Sequence, residues 1–229
     1  MFEDGKEQDF KIQLRQDTLE LLLDGEVQKP EWTKLEYQQC ENCPLSPDDV
    51  EHCPVAVSLA NVVPHFDNEA SFTKATVTVV TKERTYEKST TVQKGLSAMI
   101  GIYMVTSNCP VMDKLRPMVR YHLPFATLSE TAYRAITMYL MAQFVLMNKG
   151  HKPDWELKKL PDIYKAVSAV NKGISQRVSA ASNKDAGVNA VVILNSLGDS
   201  VPYVIDNGLA EIEPLFQSYL DEAKKSSSS

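Results

Sequence analysis

Cys40 and Cys43 stand two residues apart in Cys40-Glu41-Asn42-Cys43-Pro44-Leu45, and His52-Cys53-Pro54 follows at once. Two cysteines at that spacing can put both sulfurs on one ion, because the intervening turn aims backbone N–H groups at the thiolates and lowers their pKa. Cys53 is close enough for a loop to bring it back, whereas Cys109 has to be delivered by tertiary structure. The spacing therefore predicts a thiolate centre formed by Cys40, Cys43, Cys53 and Cys109, with zinc ahead of an iron–sulfur cluster. If Cys109 is remote, His52 or His122 takes its place. Such a closed site spends its binding energy on folding rather than on turnover.

Two other fates are open to these side chains. A free cysteine often behaves as a small buried apolar residue, and a close pair can cycle between dithiol and disulfide. Cys43, Cys53 and Cys109 each precede a proline, which fixes the following backbone and removes one N–H donor. Cysteine followed by proline also occurs in iron–sulfur ligand runs, so it tilts the choice slightly towards a cluster.

Other chemistry is missing from the sequence. There is no glycine-rich phosphate loop, no serine at a nucleophile elbow, and no pair of histidines four apart around a glutamate. The carboxylates are plentiful, but spacing alone makes none of them catalytic. These absences point away from an enzyme.

The elements that must position the cysteines can be read from local patterns. Asp9 to Arg15 alternates apolar and polar residues, and Leu19 to Leu23 follows a turn, which predicts a β-hairpin closed by Asp24-Gly25. Trp32 and Tyr37 lie directly upstream of the cysteine loop and are expected to roof it or join the core. Val55 to Val63 reads as a short buried helix stopped by Pro64. Lys74 to Thr81 and Arg84 to Thr91 form a second hairpin rich in β-branched residues.

Residues 92–107 then change to helical spacing. Leu96, Met99, Ile100, Tyr103 and Met104 make one stripe, and Gly95 and Gly101 let another element approach closely. Tyr121 to Glu130 reads as an extended link into a helix capped by Thr127 or Ser129, and it marks a boundary between an α+β domain at 1–126 and a helical domain at 127–225. Beyond it come helices over Ala132–Met147, Pro161 to about Ser182, Asp185–Leu197, and from Pro202 or Ile205 to Ala223. Arg177 and Asp185 are candidates to pair with each other, and residues 226–229 are expected to be a disordered tail. The fold class is α+β: amino-terminal hairpins with a cysteine-rich loop, then a bundle of about four helices.

Composition is that of a globular protein, with 43% hydrophobic and 24% charged residues in 229 and a net charge of −6. Residues 1–54 carry 5 basic and 14 acidic side chains, a net of −9, while residues 74–122 carry 8 and 3, a net of +5. Opposite charges on neighbouring segments favour their packing together. An overall acidic chain argues against non-specific nucleic-acid binding. No apolar run of membrane-spanning length and no leader pattern at the amino terminus is evident, which predicts a soluble cytoplasmic protein with reduced thiols and no membrane partner.

Trp32-Thr33-Lys34-Leu35-Glu36-Tyr37 with Cys40 and Cys43, Gly95-Leu96, Thr106 to Pro110, and His122-Leu123-Pro124-Phe125-Ala126 resemble an uncharacterised bacterial protein family of unknown function. The resemblance extends over most of the chain and implies a bacterial origin. It brings no catalytic residues. The expected function is that of a metal-stabilised macromolecular interaction or assembly module, binding a protein partner or a second copy of itself; the alternative is an iron–sulfur or dithiol redox sensor.

Overall fold

A computed structural model describes every residue except 3, 24, 26, 67, 68, 182–184, 208 and 227–229. The fold is α+β, with two small antiparallel hairpins followed by helices. The first hairpin pairs β1 (Gln13–Leu14) with β2 (Leu21–Leu22). Of its expected closing turn, Asp24 lies outside the described residues. The second pairs β3 (Lys74–Val80) with β4 (Thr85–Thr91), from Lys74 opposite Thr91 to Val80 opposite Thr85. The amino terminus continues this sheet, since Phe2 bridges Ala75 and Thr76 exchanges backbone hydrogen bonds with Met1 at 2.9 Å.

The period-two pattern of β3 puts Ala75, Val77 and Val79 on one face, and that face turns towards α2 (Val92–Thr106). Contact is tight at one point. A β-carbon at Gly95 would come within 2.7 Å of Val77 Cγ2, so glycine is what lets the hairpin rest on the helix. On another face of α2, Gly101 faces Leu194 of α5 (Ala186–Asp206) at 3.1 Å from the same hypothetical atom. Val92, Leu96, Ile100, Tyr103 and Met104 are buried at three- and four-residue spacing, as the apolar stripe predicts, whereas Met99 is only partly covered.

The cysteine loop is bracketed by α1 (Pro54–Leu59), whose Val55, Ala56 and Leu59 are fully buried, and by a short 3-10 helix at Glu31–Thr33. Pro54 occupies the first helical position, where its missing N–H costs nothing. Downstream, α3 (Leu128–Asn148) begins with a reciprocal cap: Glu130 N–H donates to Thr127 Oγ1 at 3.2 Å, and Thr127 N–H donates to Glu130 Oε2 at 2.7 Å. Then come α4 (Leu160–Ala181), α5 and α6 (Gln217–Ser226). Ile174, Val178, Ala190 and Val191 join Leu35, Val55 and Leu59 in one buried cluster that runs through residues on both sides of position 126.

The sequence reading needs three corrections. The expected extended link does not begin at Tyr121, because a 3-10 helix covers Met112–Tyr121 with Pro117 inside it. The fifth helix does not stop at Leu197 but continues through Pro202 to Asp206; Val201 is fully buried, and its packing outweighs the hydrogen bond that proline removes. Consequently the last helix starts at Gln217, and Ser226 belongs to it, while 227–229 of the expected tail lie outside the described residues. Finally, Arg177 and Asp185 do not pair. Asp185 accepts from the Ser71 N–H and hydroxyl, each at 3.0 Å, and these bonds hold its carboxyl below the usual range.

Candidate metal centre

Cys40 and Cys43 lie on a tight turn closed by the Cys43 N–H donating to the Cys40 carbonyl at 3.0 Å. Between them Asn42 ties the turn to α4, its Nδ2 donating to the Ala166 carbonyl at 2.9 Å. Cys53 is the residue preceding α1 and is fixed by its N–H donating to the Thr33 carbonyl at 2.8 Å. Cys109 leads into the 3-10 helix at Met112–Tyr121, and the Asp113 N–H donates to its carbonyl at 2.9 Å. Three separate segments thus approach the same side of α4.

They bring the sulfurs into one neighbourhood. Burial, then the charges of Cys53 and Cys43, push the Cys40 thiol up to about 12, with Cys109 adding to the same effect and Arg177 opposing it. Cys109 is also raised, mainly by burial, against backbone hydrogen bonds from Met112 and Val111 to its sulfur. Cys53 and Cys109 are buried, Cys40 and Cys43 half-buried, and all four are free thiols. Among the described residues, no three His, Cys, Asp or Glu side chains are placed as ligands of a single ion.

One wall of the site is backbone. A β-carbon at position 173 would lie 2.7 Å from the Cys40 sulfur, so Gly173 of α4 leaves room for that sulfur and nothing more. One turn further along α4 is Arg177, with none of its surface exposed. Its guanidinium donates to the carbonyls of Trp32 at 2.8 Å, Lys34 at 2.6 Å and Leu35 at 2.7 Å, while its Nε has no partner. No carboxylate pairs with it among the described residues. A buried cation held by carbonyls is short of negative charge, and the neighbouring cysteines, whose thiols burial keeps protonated, would supply it only as thiolates.

A family model described as a domain of unknown function (DUF6901) matches residues 1–217. The chain belongs to that family. No curated protein and no solved structure matches it. The DUF6901 chain keeps its two candidate histidines occupied or apart. His52 Nδ1 lies 3.0 Å from the Thr33 hydroxyl and its Nε2 3.4 Å from Glu51. His122 follows the 3-10 helix at Met112–Tyr121, beside Arg134 of α3. Trp32 packs on the core, and its carbonyl serves Arg177.

Sequence reasoning overlooked Gly173 as the wall behind Cys40 and assigned Arg177 the wrong partner. A signal for Arg177 existed: it lies at the spacing of Val170, Ile174 and Val178 on the apolar stripe of α4, where an unpaired charge is not expected.

Proposed function

We propose that Cys40, Cys43, Cys53 and Cys109 form the thiolate shell of a metal centre that pins the amino-terminal loop to α4, and that the chain works as a bacterial cytoplasmic interaction module rather than an enzyme. The observation that carries the reading is the convergence of these four thiols beside Arg177, which pairs with no carboxylate among the described residues. Thiolates on zinc remain net negative, so the buried guanidinium would gain the charge its surroundings lack. Reduced thiols belong to a reducing compartment, which fits the cytoplasm.

The interaction half of the reading is supported by exposed apolar surface. Met141, Phe144 and Val145 of α3 are 70%, 52% and 52% exposed, and Leu215 and Tyr219 at the carboxy terminus 72% and 71%. Contiguous apolar patches on a soluble protein commonly mark a partner surface. α5 is the one described helix whose length and apolarity would suffice to cross a membrane, and it instead packs against α2, α3 and α4.

The second reading is an iron–sulfur cluster on the same four thiols, since cysteine followed by proline, as at Cys43, Cys53 and Cys109, also occurs in iron–sulfur ligand runs. Elemental analysis and a visible spectrum of anaerobically purified, untagged protein separate the cases. Zinc or iron bound to the wild type and lost in Cys43→Ser is expected. Metal-free protein whose melting temperature is unchanged by Cys43→Ser would end both readings.

A further inference from the structure

The β3–β4 hairpin meets the body where Phe2 bridges Ala75 and Val77 meets Gly95. Between its inner face and the floor formed by α2 opens a groove of about 1570 Å³. Its walls are largely apolar, with Phe10, Ile12, Val79, Met99 and Ile102 among them. A space of this size can hold a small amphipathic molecule with room to spare.

The groove also has a polar end. Arg134 reaches it from α3, its Nη2 donating to the carbonyls of Met118 at 2.8 Å and Tyr121 at 3.2 Å. Its Nε and Nη1 make no hydrogen bond among the described residues, and no carboxylate pairs with it there. Glu130, the acid whose charge acts on Arg134, is committed to the Thr127 cap. Beside the guanidinium, His122 Nε2 is buried with no hydrogen-bond partner among the described residues. Burial, with Arg134 adding to it, lowers the His122 imidazole to about 4, so it is neutral at physiological pH and can donate or accept without bringing a second charge.

A buried polar atom without a partner calls for an explanation, and here the orphan atom and the underused cation lie at the same end of an apolar groove. We propose that this groove binds an aliphatic monocarboxylate, its head group on Arg134 and His122 and its chain along Met99 and Ile102. Glu7, Asp9, Glu83 and Glu87 line the groove together with Lys82, Arg84 and Arg120, so its rim carries both signs of charge and the head group is assigned by Arg134 and His122. The inference is independent of the cysteine cluster, which lies against α4.

Calorimetric titration of the full chain with octanoate, decanoate and uncharged decanol tests it. One decanoate per chain is expected, bound about tenfold more tightly than octanoate because two more methylenes leave water, and at least tenfold more tightly than decanol. Arg134→Gln should weaken decanoate at least tenfold and leave decanol unchanged, whereas Met99→Trp should weaken both by filling the groove. If Arg134→Gln does not fold, as judged by circular dichroism, His122→Gln reads the same head-group contact. No saturable binding of decanoate at millimolar concentration, equal binding of decanol, or decanoate binding untouched by the head-group variant would overturn the proposal.

Discussion

The sulfur of Cys40 lies 2.7 Å from the point that a β-carbon on Gly173 would occupy, so a turn near the amino terminus and a helix far along the chain meet with no spare volume. One methyl group at that point must displace either the cysteine turn or α4. Gly173→Ala is expected to lower stability by about 1–3 kcal/mol, the usual cost of overpacking, even though alanine is the better helix former. Urea denaturation measures this. An unchanged or raised midpoint would show that the turn is not seated as described.

Arg177 provides the next test. Replacing it with leucine leaves the carbonyls of Trp32, Lys34 and Leu35 buried without their donor, which is expected to cost about 3 kcal/mol or more. Arg177→Lys keeps the charge but supplies a single ammonium for three divergent acceptors, and should recover only part of the loss. A leucine variant as stable as wild type would mean that the guanidinium does not organise the loop.

The pH dependence of stability should carry a mark of His122. Its folded pKa, about 4, is below the ordinary value of 6.5, so between those values the unfolded chain binds a proton that the folded chain does not. Stability therefore falls as pH drops from about 6.5 towards 4, by at most about 1.4 kcal/mol per pH unit. His122→Gln should flatten that interval while leaving the steeper acid loss below it, where Asp154, Asp185 and Glu130 take up protons against their lowered pKa values. Parallel slopes for the two proteins between pH 6.5 and 4 would contradict the burial of the imidazole.

Thr127→Ala removes the hydroxyl that accepts from the Glu130 N–H and donates to its carboxylate, and should destabilise α3 by about 1 kcal/mol. Hydrogen exchange at residues 128–131 reports the effect locally. Protection equal to wild type there would show that the cap is idle.

What was legible in the sequence was local. The β3–β4 hairpin announced itself by alternating β-branched residues, α2 by its apolar spacing, and the start of α3 by Thr127 followed by Glu130 three positions later. The helix from Met112 to Tyr121 was not legible, because Pro117 interrupts the pattern by which a helix is recognised. Pro202 misled in the opposite sense, since the packing around buried Val201 holds α5 together across it. At the candidate centre, the spacing of Cys40 and Cys43 singled out a turn, which the structure seats against Gly173 of α4. The company of Cys109, the glycine wall and the buried guanidinium depends on which faces meet, and no single segment records that.

The seating of Cys40 against Gly173 also orders events in time. The turn at residues 40–43 is synthesised early, but the wall behind it and the arginine beside it belong to a helix that ends at Ala181. Contacts between such distant parts of a chain are slow to form because a long loop must close first. During synthesis the amino-terminal cysteines therefore leave the ribosome and wait, unshielded, until α4 has emerged and docked. Gly173 can enclose the Cys40 sulfur only once α4 has been synthesised and has docked.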